Sequence, residues 1–470
     1  MTGDRAHDGV VEVPELDLSE PREVHIVGIA GVAMSAIALL LAHMGHRVSG
    51  SDIKDTPQLG RLEAAGVRVA IGNRAENLPA HLDAVLFSTA IPATNVEITA
   101  ARKRGIPVLH RSIAQAAIAA TRRTIAIAGS HGKTTTTSML ALVLREAGWS
   151  PSFLIGGELN EVGTNAAVGE GEWFVVEADE SDGTFLRIPA EAAIVTNIEP
   201  DHLDHYGSFD ALVAAFDRFV DRVRGPVVTS RDDPVAARLA HARPQVRTFG
   251  EHPESHYRIV DYRGAPDHCR FVLVVEGARL GELVVPLGVK AAANAAAAAA
   301  MAHELGIEFD ATARALRGFG GVARRFQYRG ERDGVQFFDD YAHLPSEVAA
   351  AIATARDVGA SRVVVVFQPH RYSRTASLWA DFKDAFTDAD AVVITDVFAA
   401  GESPIAGVSG RLVAEVVAEH HPDLDVTYVP GARDLAAVPD RLARAGDVVL
   451  TLGAGDLTTL PDVWLTQGDA

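Results

Sequence analysis

The chain has 470 residues, 48% of them hydrophobic and 22% charged, with a formal net charge of −19. That length exceeds what one core ordinarily supports and predicts two to four domains, while the acidic balance argues against nonspecific nucleic-acid binding, which needs a basic face. A single cysteine, Cys269, excludes an internal disulfide and a cysteine-rich metal site.

Residues 1–22 are polar, acidic and proline-containing, and read as a flexible leader without the basic-plus-apolar pattern of a targeting segment, which predicts a cytoplasmic protein. Residues 24–28 form an apolar strand. It runs through Gly28-Ile29-Ala30-Gly31-Val32-Ala33-Met34-Ser35 into an apolar helix reaching about residue 44, and a strand over 46–52 then ends on Asp52. This βαβ unit places a phosphate at a helix N-terminus, although its glycine fingerprint is incomplete and points only weakly to a dinucleotide. Strand patterns at 67–71 and 84–88, the second ending on Ser88, complete a small doubly wound sheet over residues 23–120.

A second domain, residues 121–322, opens on a buried strand, a glycine turn and a helix start: Gly129-Ser130-His131-Gly132-Lys133-Thr134-Thr135. The glycines allow close backbone approach, the helix N–H groups favour an anion, Lys133 adds a positive charge and Thr134 a hydroxyl suited to Mg²⁺. Only two residues separate the glycines, where the common phosphate loop has four. Strands at 173–176 and 192–197 run into Glu177-Ala178-Asp179-Glu180-Ser181-Asp182 and Asn197-Ile198-Glu199-Pro200-Asp201-His202. Ligands in open α/β sheets bind beyond the carboxyl ends of strands, so the three segments are expected to converge. Residues 245–287 read as an antiparallel patch, and residues 290–305 as an alanine-rich helix in which Asn294 stands out. The third domain, residues 323–470, alternates strands at 335–339, 362–368, 391–395, 426–429 and 448–452 with helical patterns. The fold expected is thus α/β, three domains each on a largely parallel doubly wound sheet, with an antiparallel patch in the middle one.

The shortened cradle, together with residues 177–185, 196–204, 324–327, 339–345 and 367–375 in that order, resembles the Mur ligases over roughly residues 22–460. The resemblance implies a UDP-sugar on the first domain, ATP and a pair of Mg²⁺ ions on the second, and an amino acid on the third. It implies ligation of L-alanine to the lactoyl carboxylate of UDP-N-acetylmuramate through an acyl-phosphate and a tetrahedral intermediate. By the same resemblance, Gly28, Ile29, Gly31, Ser35, Asp52 and Ser88 hold the UDP-sugar, and Gly129 through Thr135, Asn294 and Arg325 hold ATP. Thr134 and Glu177 are metal ligands it implies, with His202 a ligand of the second Mg²⁺; by residue type alone His202 is a hydrogen-bonded loop histidine. Tyr341, His343, Arg371 and Arg374 hold the amino acid, with Lys133, His202, Arg325 and His343 as the catalytic set. Arg324 is expected at the surface. Asp179, Glu180 and Asp182 read equally as a solvated acidic turn or as groups around metal and substrate.

Departures from the family pattern are Ala30 and Ala33 in the first glycine turn, Lys290 and Ala291 at the adenine helix, and Leu344 after His343. The competing readings are a ligase attaching a recycled murein peptide to the same sugar and a nucleotide-binding homologue without catalysis. An NAD enzyme using the first domain is a further one. The third domain is expected to close on the middle one around ATP.

Overall fold

The computed structural model describes residues 16–241, 243–265, 268–286 and 289–466. Residues 1–15 of the expected leader lie outside these. The leader's remainder is not loose: Leu16 and Leu18, spaced by two and therefore on one face, are buried against the first core.

The first sheet comprises β1 (Glu23–Val27), β2 (Arg47–Asp52), β3 (Arg68–Ile71), β4 (Ala84–Phe87) and β5 (Val108–His110), in the order β3-β2-β1-β4-β5. All its pairings are parallel. The strand order reverses between β1 and β4, so a crevice opens at the carboxyl ends of these two strands, beside Gly28 and Ser88. The helix Val32–His43 buries Met34, Ile37, Leu40 and Leu41 in a core that continues into Ala126, Phe174 and Phe185 of the second domain. One apolar cluster therefore joins the first two domains.

The middle sheet has ten strands among the described residues: β6 (Arg123–Ala128), β7 (Ser152–Leu159), β8 (Thr164–Ala167), β9 (Trp173–Glu177), β10 (Ala192–Val195), β11 (Val227–Ser230), β12 (Val246–Gly250), β13 (Tyr257–Gly264), β14 (Cys269–Val275) and β15 (Ala278–Val285). β6 lies between β9 and β10, parallel to both. The antiparallel patch is narrower than its sequence suggested. β12 is parallel to β11 and to β13, and antiparallel pairing covers β13 to β15, with β7–β8 as a second hairpin. The alanine-rich helix Val289–Glu304 lies over this sheet: small side chains let it sit close, with Ala295 through Ala300 almost wholly inaccessible.

In the third domain the sheet order is β16 (Gln327–Arg332), β17 (Val335–Asp340), β21 (Asp447–Leu452), β18 (Arg362–Phe367), β19 (Ala391–Ile394) and β20 (Asp425–Tyr428). Only β16, absent from the sequence expectation, runs antiparallel to its neighbour. Its exposed Tyr328 and charged residues give it the weak apolar signal of an edge strand. Separate apolar clusters cover the two faces of this sheet. All three domains are α/β with mostly parallel sheets.

Candidate active site

β6 ends at Ala128, and the chain turns through Gly129 at φ +128° and Gly132 at φ +79°. A Cβ on Gly129 would collide with the Thr196 hydroxyl, and one on Gly132 would sit 2.5 Å from Asn294 Oδ1. The short cradle thus owes its glycines to two neighbours, the end of β10 and the alanine-rich helix. The Ser130 N–H donates to the Asn197 carbonyl (3.1 Å) and the His131 N–H to Asn197 Oδ1 (2.9 Å). The helix Lys133–Glu146 then begins, and its first-turn N–H groups have no intrahelical acceptor, which makes the turn an anion site. Asn294 also accepts from the Thr136 hydroxyl (3.3 Å), so it is a cradle neighbour rather than a surface polar residue. We expect Gly132→Ala to abolish the thermal shift produced by a non-hydrolysable ATP analogue. The left-handed backbone costs an L-residue about 1–2 kcal/mol and the clash adds to that. An undiminished shift would count against nucleotide binding here.

The Lys133 ammonium lies across the turn, donating to the Gly129 carbonyl (2.6 Å), the Ser130 carbonyl (3.3 Å) and Glu180 (2.8 Å). Burial pulls its pKa down, but Glu180, Asp179 and Glu177 outweigh it and hold the amine above its ordinary value. Burial pushes the Glu180 carboxyl up to about 7 against the pull of Lys133. The solvated-turn reading fails for two of the acids. Glu180 is 1% exposed, and Asp179 pairs with Arg111 of the first domain at 2.9 Å. Desolvation drives the acidic turn to find cations from other segments. Asp182 instead accepts from the Thr184 N–H at 3.1 Å.

Thr134 donates its hydroxyl to Glu177 at 3.0 Å, and Glu177 also accepts from the Gly156 N–H at 3.0 Å. A Cβ on Gly156 would intrude to 2.7 Å from this carboxylate. Two oxygens converging at the mouth of a phosphate cradle fit a hard divalent cation. Among the described residues no group of three or more His, Cys, Asp or Glu is clustered as a metal site. His202 does not join the Thr134–Glu177 pair: its Nε2 is 3.2 Å from Asp201, on a residue held at φ +54°. Burial lowers its pKa despite Asp201, leaving a neutral ring.

From the third domain, Arg325 reaches within 3.4 Å of the Thr134 hydroxyl. The Tyr341 ring has Arg324 and Arg325 at 4.9 and 5.2 Å. Arg324 is not a surface residue, because its guanidinium donates to the Gly453 (2.7 Å) and Gly455 (3.0 Å) carbonyls at the end of β21. His343 Nδ1 lies 3.0 Å from the Tyr341 carbonyl. Burial pulls its pKa down against Glu347, so it stays a neutral imidazole whose Nε2 is the accepting nitrogen. Arg374 donates to His370 Nδ1 (3.1 Å) and faces Asp201 of the middle domain at 3.6 Å. Arg371 starts the same short helix at φ +67°. His202, Asp201, Arg371 and Arg374 border one small cavity of about 110 Å³. Another of about 110 Å³, lined by Thr135, Asn294, Ala291, Phe326 and Arg325, separates the cradle from the third domain.

The residues expected around the UDP-sugar divide. Gly28, at φ +76°, Gly31, Asp52 and Ser88 lie at the carboxyl edge of the first sheet, where Asp52 accepts from the Ala30 N–H at 3.0 Å. Ile29 and Ser35 turn inward: Ile29 is fully buried against Gly50, and the Ser35 hydroxyl donates to the Val32 carbonyl. Sequence reasoning missed Glu347 and His370 as parts of the site and left Glu180 open between a solvated turn and the site. Glu347 four residues after His343, with Pro345 between, carried a helix-start signal that would have found it.

Family models match the chain as "Mur ligase family, catalytic domain" over residues 23–123, "Mur ligase middle domain" over 127–302 and "Mur ligase, glutamate ligase domain" over 324–455. It is 45% identical to UDP-N-acetylmuramate–L-alanine ligases of Bradyrhizobium sp. strain BTAi1, over 93% of this chain and 96% of that one, and of Rhizobium meliloti, over 93% and 94%. The crystal structure of UDP-N-acetylmuramate-alanine ligase from Thermotoga maritima is similar at 28% identity and TM-score 0.81, covering 95% of this chain and 99% of that one. A murein peptide ligase from Psychrobacter arcticus shares the fold at 24% identity and TM-score 0.68, over 95% and 98%.

Proposed function

Since the chain belongs to the Mur ligase family, we propose that it joins L-alanine to the lactoyl carboxylate of UDP-N-acetylmuramate, with hydrolysis of ATP to ADP and phosphate, in peptidoglycan precursor synthesis. The observation that carries this reading is a shared cleft: Arg325 and Arg374 of the third domain reach Thr134 and Asp201 beside the cradle. The nucleotide and the amino acid thereby meet at one place.

A carboxylate is a poor electrophile, so its oxygen first takes the γ-phosphoryl group of ATP, giving an acyl-phosphate and ADP. Positioning and charge neutralisation carry that step. The cradle N–H groups and Lys133 hold the phosphates, and Arg325 supplies positive charge where the γ-phosphoryl leaves. Thr134 and Glu177 would hold Mg²⁺, which spreads the negative charge of the phosphate oxygens when bound. The UDP-sugar lies along the carboxyl edge of the first sheet, past Gly28, Gly31, Asp52 and Ser88, and extends its lactoyl arm toward the cradle. Arg371 and Arg374 grip the alanine carboxylate as planar forks. His343 Nε2 takes a proton from the alanine ammonium, the freed amine attacks the acyl carbon, and the tetrahedral intermediate collapses with loss of phosphate. Among the described residues no helix is long and apolar enough to cross a membrane; we assign the reaction to the cytoplasm.

The test is ADP release by the purified protein with ATP, Mg²⁺ and UDP-N-acetylmuramate, with and without L-alanine. Alanine-dependent release supports the reading. Release that responds to a murein tripeptide but not to alanine would transfer the protein to the recycling activity, and none with either would leave a nucleotide-binding homologue.

A further inference from the structure

His131, between the two cradle glycines, is buried with a carboxylate at each ring nitrogen: Glu347 Oε1 is 3.1 Å from Nδ1 and Glu199 Oε2 3.1 Å from Nε2. Acceptors on both nitrogens make the ring an imidazolium. Burial pulls its pKa down, but the two carboxylates more than offset this and raise it to about 9. The Ser346 hydroxyl lies 3.2 Å from Nε2. Glu347 belongs to the third domain, and its second oxygen accepts from the His343 N–H (2.9 Å) and the Leu344 N–H (3.2 Å), and is 3.2 Å from His343 Nδ1. Burial works against ionisation of Glu347, yet the His131 imidazolium and Arg325 hold its pKa well below the usual carboxylate range.

A helix cap accounts for half of this arrangement. Glu347 sits in the first turn of the helix Pro345–Asp357, where an acid ordinarily accepts from the N–H groups ahead of it. A cap does not account for the other oxygen, which leaves its own domain to meet a buried histidine inside the phosphate cradle. We infer that Glu347 is a positioning residue for ligation. It ties the cradle to His343, so that the phosphate loop and the amine site are set as one unit. Its charge lies beside the His343 Nδ1–H, which the Tyr341 carbonyl accepts, and so favours the tautomer that leaves Nε2 available to the incoming amine. This inference rests on the ligase reading above.

The experiment is a double-mutant cycle on the full chain, with ADP release followed as L-alanine and then ATP are varied. Glu347→Gln keeps an oxygen for the two backbone N–H groups and removes the charge that holds His131 and His343. His131→Gln removes the charge from the other side. Each single variant is expected to lower kcat/KM for alanine at least about 10-fold, Glu347→Gln to change KM for ATP less than about 3-fold, and the double variant to fall within about 2-fold of the worse single one for alanine. Multiplicative effects, or a Glu347→Gln variant within about 2-fold of the parent for alanine, would overturn the inference. If Glu347→Gln does not fold, Glu347→Asp, which withdraws the carboxylate by one methylene, is read by the same alanine-against-ATP criterion. An unaltered protein that releases no alanine-dependent ADP overturns both readings; a competent parent with indifferent variants overturns this one alone.

Discussion

Lys133→Ala is expected to reduce alanine-dependent ADP release by at least about 10³-fold, the scale of losing a charged group aimed at a transferring phosphoryl. The ammonium is held by the cradle's own Gly129 and Ser130 carbonyls, so it stands where the phosphates arrive. Its third partner, Glu180, is 1% exposed. Truncating Lys133 strands that carboxyl, but burial already pushes it to about 7, so protonation limits the damage to the fold. The sign of the pH effect follows. An acid whose folded pKa is raised above its unfolded value contributes most below the unfolded pKa, and that contribution is lost as pH rises through the folded value. Without Lys133 the Glu180 pKa rises further. The gap in Tm between parent and variant should therefore widen from pH 5 to pH 8. A gap that narrows over that window would show that Glu180 is not a desolvated partner of Lys133, and residual ligation near the parent rate would remove Lys133 from the phosphate site.

The parts of the site read from sequence are those whose signal is local. Gly129, Gly132, Lys133 and Thr134 are adjacent in the chain and sit on one turn, so composition and spacing expose them together. Glu177 was found because an apolar strand ends at it, and a parallel sheet aligns such ends with the cradle. The three sheets were legible for the same reason: buried strands give uninterrupted apolar runs. What escaped, or was left open, has partners distant in sequence. Glu180 reads as one acid in an acidic turn until Lys133 is placed 2.8 Å away. Arg324 reads as surface until the end of β21 brings the Gly453 and Gly455 carbonyls to it. Leu16 and Leu18 look like part of a polar leader because two leucines are too few to outweigh their neighbours in a window, although they suffice to dock the segment. Asn294 stood out in its alanine run, but its relation to Gly132 depends on two helices meeting.

Arg374→Ala is expected to raise KM for alanine by about 10²-fold while KM for ATP changes less than about 3-fold, the pattern of a lost substrate contact rather than a damaged fold. The guanidinium is anchored on one side and adjustable on the other. Its anchor is His370 Nδ1 at 3.1 Å. Burial, then the nearby Arg374 and Arg371 charges, drive the His370 pKa down to about 3, so the ring remains a neutral acceptor at any working pH. His370 is itself stacked on Phe398 with ring centroids 5.9 Å apart, which fixes the acceptor's direction. The other partner, Asp201, is 3.6 Å away, an ion pair without a short hydrogen bond. An incoming carboxylate that offers both oxygens to the fork would make the better partner. Arg371 is presented beside it by a backbone held at φ +67°, a strained conformation of the kind that costs about 1–3 kcal/mol and is retained where placement matters. Arg374→Lys keeps the charge and loses the planar fork, so its KM for alanine should fall between the parent and the alanine variant. If the lysine variant matches the parent, charge alone suffices and the fork is not used. If Arg374→Ala raises both KM values equally, Arg374 serves the interface between the domains through Asp201, and the alanine carboxylate must be bound elsewhere.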